Sequence, residues 1–396
     1  MRSLSTASAP SGGTTIFTEM TALAHRTGAV NLGQGFPDTD GPPAMLEAAR
    51  AAIAAGANQY PPLDGVPELR TAIATQRSLR YGTPYDPDTE IMVTTGATEA
   101  LTAALLALCE PDDEVIVLEP YYDSYAAGVA LARARLRTVP MRPDSTGRFR
   151  FDPADLSAAI TPRSRLVLVN SPHNPTGTVL SLQELAAIAD CCHRADLIAV
   201  TDEVYEYLTY DGVTHIPLAS LPGMRDRTLT ISSAGKTFSA TGWKVGWVCG
   251  PARLIKAVRQ VKQYLTFASG TAFQHAVALA LRTQQHWVAD LARQLQTRRN
   301  QLRASLTAAG LSPFACQGTY FLQADIRPLG LTDGFRFCRS LPGQVGVAAI
   351  PSAAFYRDPE AGLPFIRFAF CKRPEVLDEA ARRLTSLRST PCQEVE

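Results

Sequence analysis

A lysine that does covalent chemistry needs a neutral amine and a place where a ligand's carbonyl can reach it. The chain has five lysines in 396 residues: Lys236, Lys244, Lys256, Lys262 and Lys372. Only Lys236 sits among small residues directly after an apolar run, in Ser232-Ser233-Ala234-Gly235-Lys236-Thr237-Phe238-Ser239. Small neighbours on a tight loop let ligand and backbone come close. A lysine on a turn is as readily a solvated surface residue, so this segment alone leaves both readings open. Lys256 and Lys262 fall on an amphipathic helical pattern and are expected in solvent.

Asp202 and Tyr205 end the apolar run Leu197 to Thr201. A carboxylate closing a buried strand is costly unless it meets a positive partner. A protonated ring nitrogen would be such a partner, and would turn that ring into an electron sink. Tyr205 could then bond a ring oxygen. The alternative is a helix-capping Asp beside a core Tyr. The loop Asn170-Ser171-Pro172-His173-Asn174-Pro175-Thr176-Gly177 is stiffened by two prolines; Asn174 could donate to the same oxygen, and His173 is assigned no chemistry. Gly96-Ala97-Thr98 lies between a strand pattern and a helix pattern, where free N–H groups bind phosphate. Many such turns carry glycine, and G-x-x-x-x-G-K-[ST] is absent. Lys244 could add a cation there and Ser233 a hydroxyl. Arg367, inside the apolar run Phe365 to Phe370, needs a partner. That partner is either a substrate carboxylate gripped by two bonds or a structural acid.

These residues must be held by a framework, and the framework is legible. Apolar runs at 91–95, 114–119, 165–170, 197–201, 228–232 and 245–249 alternate with helical stretches such as 69–80, 98–108 and 182–193. Continuous apolar strands separated by helices predict a mostly parallel sheet buried on both faces, an α/β fold. Ligands then bind beyond the carboxyl ends of the strands. A helical region over 272–309 leads to strand patterns at 320–324, 345–350 and 365–371 and a helix at 375–387, a smaller α+β domain. The expected division is a flexible arm at 1–13, a segment at 14–45 joining the small domain, a large domain at 46–285 and a small domain at 286–396.

Composition excludes several classes. The formal net charge is +1, which gives no electrostatic reason to bind nucleic acid or an acidic membrane. Eight cysteines are scattered without a C-x-x-C pair, which argues for reduced thiols rather than a disulfide framework or a metal site. No signal-like leader and no long apolar run is present, so a cytoplasmic protein is expected.

Taken together, the segments from Asn31-Leu32-Gly33-Gln34-Gly35-Phe36-Pro37 to Arg367 resemble the class I aminotransferases of pyridoxal 5′-phosphate (PLP) fold type I, over about residues 14–388. SSAGKTFSATGWKVGW is similar to the kynurenine and glutamine transaminases with cysteine-S-conjugate β-lyase activity. NSPHNPTG and FCKR are similar to the actinobacterial N-succinyldiaminopimelate aminotransferases. The resemblance implies a seven-stranded, mostly parallel sheet in the large domain. It implies that Lys236 forms the Schiff base and shuttles a proton, that Asp202 pairs with the pyridine nitrogen, and that Tyr205 and Asn174 hold the ring oxygen. Tyr122 stacks on the ring, and Gly96, Ala97, Thr98, Ser233 and Lys244 hold the phosphate. Tyr60 reaches the phosphate of a neighbouring subunit, so a homodimer with shared sites is implied. Gly35, Asn174 and Arg367 bind the substrate carboxylate, while Phe17 and Phe267 line the side-chain pocket. The kynurenine group usually carries Trp where Phe17 stands and Asn where His173 stands, which favours N-succinyldiaminopimelate as amino donor and 2-oxoglutarate as acceptor. Two other outcomes share these residues: β-elimination from a cysteine conjugate, and a non-catalytic PLP-sensing domain of a transcription regulator. The near-neutral charge, and a fold that starts within the first ~30 residues, speak against the second.

Overall fold

The computed structural model describes residues 15–388. The arm expected at 1–13 lies outside the described residues.

The Thr15 hydroxyl caps Ile16–Thr27 (α1), which Gly28 closes in the left-handed region. Val30–Asn31 is β1. Pro43–Ala54 (α2) and Pro67–Tyr81 (α3) each start on a proline, whose missing N–H has no helical role there. Ile91–Thr95 (β2) runs straight into Gly96–Leu108 (α4). Glu114–Glu119 (β3), Ser124–Leu131 (α5), Arg135–Pro143 (β4), Phe149–Phe151 (β5), Pro153–Ala159 (α6) and Ser164–Asn170 (β6) follow. Leu182–Arg194 (α7) begins with a capping box made by Ser181 and Glu184. Next come Ile198–Asp202 (β7), Thr228–Ser233 (β8), the single turn Ala234–Thr237 (α8), Val245–Cys249 (β9), Ala252–Lys262 (α9), Thr271–Thr283 (α10) and Gln285–Ala308 (α11). The rest of the chain supplies Ser312–Pro313 (β10), Phe321–Asp325 (β11), Gly334–Gln344 (α12), Val347–Ala348 (β12), Ile350–Pro351 (β13), Phe365–Ala369 (β14) and Pro374–Leu384 (α13).

The main sheet has the order β2-β9-β8-β7-β6-β3-β4-β5. Strands β8, β7, β6, β3 and β4 pair in parallel, and β9 runs against both its neighbours. The expected mostly parallel sheet is therefore present, with β5 added as a short antiparallel eighth strand on β4. Every position of β3, β7, β8 and β9 is buried. Val115 and Val117 face a core made with α4, α5 and α9, while Ile116 and Leu118 face one made with α6 and α7. A strand buried on both sides has no polar alternation, which is why these segments read as unbroken apolar runs. β4 carries arginines at three of its nine positions and is only partly buried, so it gives no such run.

The second body is a four-stranded antiparallel sheet of order β10-β11-β14-β13, with the parallel pair β1–β12 beside it. Met20 of α1 and Leu32 join this body's core rather than the large one. The helical region expected over 272–309 is two helices, broken at Gln284, whose φ of −109° ends α10. α10 packs with α2 and α3 on the large sheet, and α11 carries Leu295, Leu302 and Leu306 into the smaller core.

Beneath the strand ends lies a buried ionic cluster. The Arg77 guanidinium on α3 is 3.0 Å from Glu203 and 3.2 Å from Glu206. His215 Nε2 is 3.1 Å from Glu203, and the Ser232 hydroxyl donates to Glu206 over 2.6 Å. Burial works against ionisation of Glu203, yet Arg77 and His215 hold it at about 2. Glu203 and Glu206 alternate with Asp202 and Tyr205, so the cluster anchors from behind the segment that carries both. Removing one member of a buried ion pair strands the other and typically costs about 3–5 kcal/mol. Arg77→Met should lower unfolding free energy by that order in urea titration. Without Arg77, burial would push Glu203 above its unfolded value, so the stability missing from the variant should be partly regained as pH falls through its folded pKa. A variant as stable as the parent at neutral pH would contradict this account.

Candidate active site

Three neighbouring parallel strands end at the same level. Asn170 at the end of β6 pairs in register with Asp202 at the end of β7, and Asp202 with Ile231 on β8. Two residues later β8 gives way to α8, which carries Lys236. At the far side, Thr95 closing β2 pairs with Val245 opening β9, so Gly96 and Lys244 meet. These ends surround a cavity of about 360 Å³.

Asp202 is buried, and its carboxylate accepts from the Tyr125 hydroxyl (2.7 Å) and, more distantly, from the Val204 N–H (3.3 Å). Burial pushes its carboxyl above the usual carboxylate value, against those two bonds. Asn170 fixes the backbone around it: its amide donates to the Asp202 carbonyl (2.8 Å) and accepts from the Asn174 N–H (2.7 Å). The acid thus lines the cavity with no cation bonded to it among the described residues, which fits a ligand that presents a protonated nitrogen.

The Lys236 amine donates to the Tyr320 hydroxyl (2.8 Å). Burial pulls its pKa down to about 8. That makes a neutral amine available near neutral pH.

The opposite wall suits an anion. α4 starts at Gly96 without a side-chain cap, leaving its first N–H groups free. Gly96 has φ of 75°, and a Cβ there would come within 3.0 Å of Lys244 Nζ. Gly246 is as constrained, since a Cβ would meet the Gly96 carbonyl carbon at 2.5 Å. Lys244 is itself left-handed, with φ of 54°, a conformation that disfavours side chains. Ala97, Thr98, Ser233 and Tyr122 line the same cavity.

Arg367 on β14 enters from the smaller body. Its guanidinium donates to the Asn174 side-chain oxygen (2.8 Å), and its buried Nε has no hydrogen-bond partner in the structure. The guanidinium carbon lies 3.9, 4.5 and 5.5 Å from the ring centres of Phe321, Phe355 and Phe17. Burial draws its pKa down to about 10, so it stays charged at neutral pH. Among the described residues no acid bonds it, which leaves the structural ion pair without a partner there. Gly35 lines the cavity too, and a Cβ there would overlap the Phe321 ring at 2.3 Å.

All the candidate residues named from the sequence surround this cavity except two. Tyr60 is 83% exposed and Phe267 43% exposed; their rings meet edge-on at 5.4 Å, outside the cavity lining. Within one chain Phe267 therefore does not line the pocket, because its loop between α9 and α10 turns it outward. Lys262 corrects the expectation of a solvated side chain: it is fully buried, donating to the Leu63 carbonyl (2.8 Å) and to the Phe267 carbonyl. Lys256 is exposed as expected. His173 is buried against Thr176, and burial lowers its pKa to about 3, which keeps it neutral and structural. Sequence reasoning overlooked Tyr125, Asn170 and Tyr320. Asn170 opens the quoted proline loop and could have been found from its strand-end position. Tyr320 carries no local signal.

Among the described residues no group of side chains could hold a metal ion, and no helix is long and apolar enough to cross a membrane. Residues 27–384 match the family model described as aminotransferase class I and II. The chain is 56% identical over 387 residues to a Mycobacterium tuberculosis protein named probable N-succinyldiaminopimelate aminotransferase, covering 96% of this chain and 97% of that one. It is 42% identical over 381 residues to the methionine aminotransferase of Escherichia coli, covering 96% and 97%. The solved structure of N-succinyldiaminopimelate aminotransferase from M. tuberculosis superposes with a TM-score of 0.93, at 56% identity, over 95% of this chain and 97% of that one.

The low amine pKa has a direct readout. In the cofactor-free full chain, acylation of Lys236 followed by peptide mass should rise with pH through a midpoint near 8. A lysine in a short reference peptide should label with a midpoint of about 10.4. Coincident midpoints would show that the Lys236 site is not desolvated.

Proposed function

The chain belongs to the class I and II aminotransferases, enzymes that move an amino group between an amino acid and a 2-oxo acid, and we propose that it does so with PLP held on Lys236, N-succinyldiaminopimelate as donor and 2-oxoglutarate as acceptor. The observation that carries the cofactor assignment is the charge layout of one cavity. A buried acid without a cation, a desolvated amine and an uncapped helix start with a lysine beside it match a molecule with a ring nitrogen, an aldehyde and a phosphate.

When bound, PLP supplies an electrophilic aldehyde and an electron-withdrawing ring that stabilises the charge left when a substrate Cα–H bond breaks. Asp202 keeps the ring nitrogen protonated, since its buried carboxylate gains most from a positive neighbour. Tyr205 and Asn174 donate to the ring oxygen, and Tyr122 packs on the ring. Gly96, Ala97, Thr98, Ser233 and Lys244 hold the phosphate. Arg367 takes the substrate α-carboxylate through its free Nε edge, with Asn174 and three aromatic rings keeping the guanidinium plane fixed. The freed Lys236 amine, neutral above about pH 8, removes the Cα proton as general base and returns it one atom away as general acid.

The donor assignment rests on the 56% identity to the M. tuberculosis protein over nearly the whole of both chains. The 42% identity to a methionine aminotransferase supports a second reading, with an apolar sulfur-containing donor. With a cysteine conjugate, whose sulfur sits on Cβ, the same proton removal can end in loss of the β-thiolate, which gives C–S lyase activity. The exposed Tyr60–Phe267 pair supports a homodimer in which a second copy offers Tyr60 to the phosphate and Phe267 to the side-chain pocket, at work in the cytoplasm.

Mixing the PLP-loaded enzyme with single amino acids should bleach its visible absorbance fastest with N-succinyldiaminopimelate; faster bleaching with methionine or kynurenine would transfer the donor assignment. Lys236→Ala should lose both turnover and that absorbance. Arg367→Ala should lower kcat/KM about thirtyfold or more, because truncating one partner of a buried charge pair costs about 2–5 kcal/mol. An Arg367→Ala enzyme with unchanged kcat/KM would remove the carboxylate assignment.

A further inference from the structure

Tyr320 sits outside the cavity lining and yet holds the one amine that the proposed chemistry turns on. Its ring is 1% exposed and meets the Tyr205 ring edge-on at 5.1 Å. Its hydroxyl donates to the Gly35 carbonyl (2.5 Å) and accepts from Lys236 Nζ (2.8 Å). A phenol has one proton to give and two lone pairs to receive with. The Gly35 carbonyl can only accept, so it takes the phenol proton. Toward Lys236 the oxygen can then only accept.

That polarity matters. Were the phenol to donate to Nζ, it would occupy the nitrogen lone pair, and the lysine could not act as a base. With the proton committed to Gly35, a Lys236 N–H points at the phenol and the lone pair stays free. After the amine gains a proton, the same oxygen accepts from the ammonium in a site where other acceptors are scarce.

Building on the assignment of Lys236 as cofactor-bearing base, we propose that Tyr320 is a positioning residue for the proton transfer: it docks the lysine amine whenever that amine is free, keeps its lone pair available, and supports the ammonium after the proton arrives. The Gly35 carbonyl sets the direction of this hydrogen bond. The substrate C–H bond breaks, an N–H bond forms on Lys236, and the phenol proton stays with Tyr320 throughout.

Tyr320→Phe removes the acceptor and keeps the ring. In the cofactor-free full chain, the labelling midpoint of Lys236 should move down by about one pH unit, because the buried ammonium loses a charge-assisted bond. In the loaded enzyme, kcat for the amino-donor half-reaction should fall about tenfold or more with KM little changed, and borohydride reduction should still fix PLP to residue 236. A purely structural Tyr320 would lower the melting temperature and leave the labelling midpoint in place, which overturns the proposal. A crystal structure of the cofactor-free wild-type protein gives a test without any variant: Nζ within hydrogen-bond distance of the Tyr320 hydroxyl is expected, and an amine bonded elsewhere overturns it. If reduction of the wild-type enzyme fixes PLP to some other lysine, the parent assignment fails instead, a result distinct from either of these.

Discussion

A buried carboxylate without a cation is the constraint around which this molecule is organised. Asp202 is surrounded by protein and meets only neutral donors, Tyr125 and a backbone N–H. Such a group raises its own pKa or recruits a positive partner, and among the described residues no cation is bonded to it. The opposite sign is handled the same way across the cavity. Lys236 is desolvated, and Arg367 is wrapped in aromatic rings with one edge unbonded. Each charge is held by the fold and left incomplete, so a ligand of matching charge completes several groups at once.

Topology makes this arrangement possible. Parallel strands bring their carboxyl ends to one side of the sheet, so β6, β7 and β8 deliver Asn170, Asp202 and the Lys236 turn to adjacent positions. The reversed strand β9 starts where β2 ends and brings Lys244 to the first turn of α4. Residues separated by nearly 150 positions in sequence become neighbours through two backbone ladders. The smaller body then needs to contribute only one strand, β14, for Arg367 to close the constellation.

Much of this was legible before any coordinates. Strands buried on both faces betray themselves as unbroken apolar runs, and charged residues interrupting them, Asp202 and Arg367, are conspicuous. Small residues around Lys236 and a glycine opening α4 mark close approach. What stayed hidden depends on contacts made across the sequence. Tyr320 is one tyrosine among twelve, and only the meeting of its hydroxyl with Lys236 and Gly35 distinguishes it. Lys262 reads as a solvated helix residue because its pattern is amphipathic, while its ammonium is satisfied by loop carbonyls that the pattern does not encode. The turning of Phe267 away from the cavity depends on a loop with a left-handed residue at that position, for which a phenylalanine gives no warning.

Lys244 combines two demands that oppose each other. Its backbone adopts a left-handed conformation that glycine would occupy with less strain, by about 1–2 kcal/mol. Its ammonium, beside Gly96, is what the anion-facing wall needs. A glycine at 244 is therefore a change that selection for robustness alone would favour and that selection for turnover would refuse. Laboratory evolution toward heat tolerance, run without an activity screen, has a ready route to an inert and sturdier protein at this single position.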